Sequence, residues 1–154
     1  MTNKLPELME AHPRLFRGNP PVVASELPAG WLDIVDALCC DIEALLGSEP
    51  ERFVVTQIKE KVGGLRFYYS LEGAEDMFID IHTDRGIRTM VNKGDGPALM
   101  DQIRSLVETA SLRSTTTCQD CGALGVRAAR GGWVGTLCAP HAEEWERQRG
   151  SDKE

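Results

Sequence analysis

Residues 118–141 hold Cys118 and Cys121 as a C-x2-C pair and Cys138 and His141 as a C-x2-H pair, separated by "GALGVRAARGGWVGTL". No other stretch of the chain restricts its folding as strongly. A C-x2-C turns two thiolates back onto one ion from a tight loop, and Gly122 gives the permissive backbone such a knuckle needs. The segment between the pairs reads as a short hairpin about Gly131-Gly132. Pro140 lies between Cys138 and His141, where "APHAEEWERQR" opens a helix, so these two donors stand one turn apart on one helical face. Knuckle, hairpin and helix in this order predict a treble-clef-like zinc module. Three cysteines and one histidine complete a tetrahedron, leaving no position for a reacting water, so the expected zinc is structural. Iron is compatible with the same donors, but Cys3His in this order favours zinc.

Catalytic zinc motifs are missing. There is no H-E-x-x-H, and the Cys-x-x-Cys is preceded by Thr117 rather than by the proline and upstream His-x-Glu of a zinc deaminase. The apolar residues of the segment are few: Leu124, Val126, Trp133, Val134, Leu137 and Trp145. Metal binding is therefore expected to supply most of its folding free energy, on the order of 10 kcal/mol.

Upstream, the chain reads as an α+β body. Residues 1–28 contain Pro6, Pro13, Pro20, Pro21 and Pro28, which leave room for a short helix over residues 5–12 and otherwise an arm wrapped on the body. Trp31, Ile34, Val35, Leu38, Ile42, Leu45 and Leu46 fall on one helical face, and Gly47 and Pro50 end that helix. "RFVVTQIKEKVGGLRFYYS" switches to strand chemistry about a Gly63-Gly64 turn, with Leu65, Phe67 and Tyr69 sharing a face. "MFIDIHT" and "GIRTMV" predict two further strands. Asp95, Gly96 and Pro97 start a second helix carrying Leu99, Ile103, Leu106, Val107 and Ala110. The expected fold is a small antiparallel sheet with two amphipathic helices over residues 1–113, followed by the zinc module over residues 114–150. The predicted core joins Trp31, Ile34, Leu38, Ile42 and Leu45 to Phe53, Val55, Leu65 and Phe67.

The formal net charge of −7 lies in the body: residues 1–111 carry eleven Lys and Arg against eighteen Asp and Glu, whereas residues 112–154 are balanced. Such a field repels phosphate backbones and favours basic partners. No apolar run is long enough for a membrane span, and "MTNKLPELMEAHPRLF" has no apolar core or cleavage site of an export signal. A cytoplasmic protein without a membrane partner is the expectation. Five cysteines, three of them in ligand spacing, do not form a disulfide framework, and the adjacent Cys39-Cys40 reads as packing rather than as a redox or metal pair.

Other chemistry is sparse. With His141 assigned to metal, the remaining histidines are His12 and His82, and His82 beside Asp80 and Asp84 reads as a solvated turn. Gly63-Gly64 belongs to neither phosphate-loop pattern. Lys59, Lys61 and Arg66 near Tyr68 read as a charged edge that discourages strand-to-strand association. An enzyme built on Lys59, Lys61, Arg66, Asp80 and His82 is thus disfavoured, and no enzymatic activity is expected.

The segments "HPRLF", "GWLDIVDALCCDIEALL", "QIKEKVGGLRFYYS", "ASLRSTTTCQDCG" and "GWVGTLCAPHA" resemble, in this order, a family of uncharacterised bacterial and phage- or prophage-encoded proteins. These proteins carry a Q-x-K-E-K-x-G-G-L-R-F-Y strand and a C-x2-C…C-x2-H end. Residues 72–100 read longer than that pattern. The resemblance implies the ligands Cys118, Cys121, Cys138 and His141 and a setting in mobile-element conflict; it carries no mechanism. The leading expectation is a binding protein, such as an immunity or inhibitor protein that meets a basic partner. The alternative is a nucleic-acid-binding accessory protein with Arg113, Arg127, Arg130, Arg147 and Arg149 as phosphate contacts.

Overall fold

The computed structural model describes residues 3–17, 25–72, 78–80, 88–90 and 96–151. Their elements run α1 (Leu5–Ala11), α2 (Pro13–Phe16), a 3-10 turn (Ala29–Trp31) leading into α3 (Leu32–Leu46), β1 (Phe53–Lys61), β2 (Gly64–Leu71), β3 (Phe78–Asp80), β4 (Arg88–Met90), α4 (Gly96–Ser114), β5 (Val126–Arg130), β6 (Trp133–Leu137) and α5 (Ala139–Ser151). Mixed α+β architecture with a C-terminal Cys3His cluster is what the sequence predicts. The strands differ in their pairing. Instead of one four-stranded body sheet they form separate antiparallel hairpins, β1 with β2 and β3 with β4, and β5 pairs with β6.

The body core is built by α3 and α4 against β1 and β2. Ile34, Leu38, Cys39 and Ile42 of α3 meet Phe53, Val55 and Ile58 of β1, Leu65, Phe67 and Leu71 of β2, and Leu99, Ile103 and Ala110 of α4 in one buried cluster. Strict alternation from Phe53 and Val55 would turn Ile58 outward. A register shift between Val55 and Gln57 inserts the extra residue that returns it to the core. Leu45 departs from the expected stripe: it is exposed, and Leu46 takes the buried place at the end of α3.

Two short helices form where the prolines left room for one. Pro13 cannot continue α1 but is well placed in the first turn of α2. Leu5, Leu8, Leu15 and Phe16 are buried, and the arm returns to the body through the Lys4 N–H on the Leu27 carbonyl at 2.7 Å.

The β1–β2 turn lies one position earlier than the Gly-Gly signal suggests. Its two loop residues are Val62 and Gly63, with φ of 54° and 74°, while Gly64 begins β2. Positive φ at both positions is the hairpin geometry that favours Asn-Gly, and a β-branched residue there is strained by roughly 1–3 kcal/mol. Val62 is 44% exposed, so its side chain gains only part of the burial of a core valine in return. Val62→Asn is expected to stabilise the protein by about 1 kcal/mol in denaturant titration; a destabilised variant would show that the valine side chain has a packing role.

Among the described residues, no helix is long and apolar enough to cross a membrane. Lys59 lies over the Tyr68 ring at 5.8 Å, and Arg66 reaches its neighbour's carbonyl, so both belong to a charged hairpin edge. His82, Asp84 and Asp95 lie outside the described residues.

Candidate metal centre

The knuckle is built from backbone first. The Gly122 N–H bonds the Cys118 carbonyl at 3.0 Å, the Cys118 N–H bonds the Ala123 carbonyl at 2.7 Å, and Gly122 has a φ of 82°. This turn aims Cys118 and Cys121 toward the start of α5, where Cys138 immediately precedes the helix and His141 sits in its first turn. One donor atom from each of Cys118, Cys121, Cys138 and His141 lies within 4.8 Å of all the others, so the four could hold a metal ion.

The separations fit a tetrahedron. Cys121 Sγ and Cys138 Sγ are 3.7 Å apart and Cys118 Sγ and His141 Nδ1 are 3.5 Å apart. Around one ion with metal–sulfur bonds near 2.3 Å and metal–nitrogen bonds near 2.0 Å, tetrahedral angles place such pairs about 3.8 and 3.5 Å apart. Cys138 Sγ and His141 Nδ1 are somewhat closer, at 3.1 Å. The ring nitrogen that turns inward is Nδ1.

The electrostatics favour a cation. The His141 backbone N–H, followed by the His141 ring, pushes the Cys138 thiol down to about 7. The hydrogen bond to Cys138 raises the basicity of His141 in turn. At Cys121 the Ala123 backbone N–H lowers the thiol, but burial and the neighbouring Cys118 and Cys138 sulfurs outweigh it and leave that thiol raised. Sulfurs this close repel one another once ionised, and a divalent ion among them relieves that repulsion.

The surroundings seat the knuckle on the body. The Gly30 N–H bonds the Gln119 carbonyl at 2.7 Å, and the Trp31 indole N–H bonds the Thr117 carbonyl at 2.9 Å. A Cβ on Gly30 would come within 1.9 Å of the Cys118 carbonyl oxygen, so only glycine allows this approach. Gln119 and Thr136 are both buried and bond twice: the Gln119 N–H to the Thr136 carbonyl, and the Thr136 N–H to Gln119 Oε1. The Thr136 hydroxyl then donates to the Gly63 carbonyl at 2.7 Å. Arg127 Nε donates to the Val62 carbonyl at 2.6 Å. The Val62-Gly63 turn is thus a joint between the body hairpin and the module. Gly30, Gln119 and Thr136 were not singled out by the sequence. Gly30-Trp31 directly before an apolar helix was the available sign.

Leu124 and Val126, expected among the apolar anchors of the module, are exposed. Its apolar support comes from buried Leu137 and from Trp133, whose ring stacks on Trp145 at 5.3 Å. Beside the metal cluster lies a cavity of about 480 Å3 lined by Asp120, Trp133, His141, Glu144, Trp145 and Gln148, among others. Of the five arginines, Arg130 bonds the carbonyls of Val126, Ala128 and Gly135 in its own hairpin, and Arg149 lies over Trp145 at 5.4 Å. Arg113 and Arg147 are exposed on α4 and α5. Comparison of the chain with protein-family models, curated proteins and solved structures finds no match.

Proposed function

We propose that the chain is a non-enzymatic binding protein, of the immunity or inhibitor kind, whose treble-clef-like module is stapled by one structural zinc ion and meets a basic partner. The observation that carries this reading is the cavity beside the metal cluster. Trp133 and Trp145 offer stacked aromatic surface there, and Asp120 and Glu144 add two carboxylates. Arg149 already lies over Trp145, so the two carboxylates supply the charge pairing for an incoming cationic side chain and the tryptophan edges frame it with apolar surface. The acidic body extends the same sign of field and speeds encounter with a basic surface. All four coordination positions come from protein, which supports a structural ion rather than a hydrolytic one. The Cys3His donor set and the tetrahedral separations support zinc among the divalent metals.

The nucleic-acid reading loses support from the arginines. Arg127 and Arg130 spend guanidinium donors on nearby carbonyls, which leaves Arg113 and Arg147 as the more available contacts. A pull-down from host lysate at low and high salt separates the two readings. The expected result is a stoichiometric basic protein whose capture weakens as salt rises and falls at least tenfold with Asp120→Asn plus Glu144→Gln. Failure to recover such a partner, or capture indifferent to those changes, would sink the proposal. A mobility shift abolished by salt and weakened by Arg113→Ala plus Arg147→Ala would favour nucleic acid instead.

A further inference from the structure

The arm and α3 bring together a second set of metal-binding groups. His12 sits at the junction of α1 and α2, where its backbone N–H closes α1 on the Leu8 carbonyl. Its ring is buried, with 6% of the side chain exposed, and both ring nitrogens face carboxylates of α3. Nδ1 meets Glu43 Oε1, and Nε2 meets Asp36 Oδ1 at 2.6 Å. Asp36, Cys40 and Glu43 follow one another at helical spacings of four and three, so they share a face of α3. A ring nitrogen of His12, a carboxylate oxygen of Asp36 and the sulfur of Cys40 all lie within 4.8 Å of one another.

We propose that His12, Asp36 and Cys40 form a second metal site, open to solvent, that takes a borderline divalent ion such as Zn2+, Co2+ or Ni2+ and clamps the N-terminal arm onto α3. A neutral imidazole has a single N–H, so it cannot donate to both carboxylates. With Nδ1–H given to Glu43, Nε2 is a lone pair facing a second anion, and a cation is needed between them. A proton would serve, but it has no use for a third donor. An ion would use the Cys40 sulfur, which the apolar stripe of α3 leaves exposed. Imidazole, thiolate and carboxylate are a mixed donor set suited to borderline metals. Glu43 then has the role that carboxylates take behind ligating histidines: it fixes the tautomer and the ring orientation.

The 2.6 Å between Nε2 and Asp36 Oδ1 is a hydrogen-bond separation. Two ligand atoms on a tetrahedral ion with bonds near 2.0 Å stand about 3.3 Å apart. An entering ion therefore displaces the proton and moves Asp36 outward by some tenths of an ångström. The Asp36 side chain is 49% exposed and has room to move, whereas the buried His12 ring stays in place. Three protein donors leave a coordination position to water, unlike the closed Cys3His set. This site is accordingly the weaker of the two and exchanges its ion more readily.

The test starts from tag-free full-length protein with its C-terminal site filled by one tightly held Zn2+ per chain. Calorimetric titration with Zn2+ should show a further equivalent, and amide exchange in residues 5–16 should slow as that equivalent binds. Cys40→Ala, at an exposed position, should weaken this second equivalent at least tenfold and abolish the slowing. Asp36→Asn should weaken it as well. Binding of a single equivalent only would overturn the proposal and leave a shared proton as the bond between arm and helix. A second equivalent whose affinity is unchanged in Cys40→Ala would overturn it too, by placing that ion elsewhere.

Discussion

Removal of the proposed zinc ion by a strong chelator is expected to raise amide exchange in β5 and β6 by on the order of a thousandfold or more, while α3 and the centre of β1 and β2 keep most of their protection. The reason is where each region finds its stability. The body buries Trp31, Ile34, Ile42, Phe53, Ile58, Leu65 and Ile103 almost completely. The module has Leu137 and a pair of stacked tryptophans, while Leu124 and Val126 face solvent. That apolar area is too small to offset the chain entropy of the knuckle, hairpin and α5. The Cys121 and Cys138 sulfurs stand 3.7 Å apart, and once both are thiolates only a cation between them would offset their repulsion. Cys118→Ser should reproduce the effect and lower the zinc content below one per chain by elemental analysis. Joint loss of protection in α3 and the β5–β6 hairpin would mean that the contacts of Gly30, Trp31 and Gly63 fuse body and module into one cooperative unit. The division at residue 113 would then fail, and a metal-free protein with full protection would refute the zinc staple itself.

Trp31→Ala is expected to cost about 3–5 kcal/mol of unfolding free energy, because Trp31 is the largest of the fully buried side chains among the described residues. Its ring belongs to the core cluster, and its indole N–H reaches the Thr117 carbonyl, one residue before Cys118, the first residue of the Cys3His cluster. The substitution therefore removes core volume and a bond to the knuckle together. Trp31→Phe separates the two contributions, since it keeps most of the ring and deletes the N–H, at an expected cost of about 1–2 kcal/mol. Chelator competition gives a second readout: both variants should release zinc more readily than the parent, because the Thr117 carbonyl loses its anchor. Denaturant titrations within about 1 kcal/mol of the parent for both variants would show that Trp31 is not the joint between body and knuckle.

The pairs Cys118/Cys121 and Cys138/His141 were legible because ligand geometry demands short fixed spacings, and such spacings survive in one dimension. The same holds for the helical stripe of Ile34, Val35, Leu38 and Ile42, where a local periodicity is the burial pattern. Leu45 and Leu46 show the limit of that reading. Both suit the apolar face by composition, and the neighbours packed on the last turn of α3 decide that only Leu46 is buried. At Val62-Gly63 the turn was legible to within one residue, since two glycines in a row admit either register and pairing of Lys61 with Gly64 selects one.

What the sequence by itself determined is therefore local: the helices, the hairpins and a donor set of tetrahedral type, each written in residues a few positions apart. Tertiary structure decided everything that depends on residues far apart in the chain. It set Gly30 against Cys118, where no Cβ fits, and made the Val62-Gly63 turn a seat for Thr136 and Arg127. It also placed His12 between Asp36 and Glu43, 24 and 31 positions away, turning Cys40 from a residue outside the apolar stripe into one within reach of a histidine. Such meetings arise when packing of the whole core brings separate segments together, and no local spacing records them.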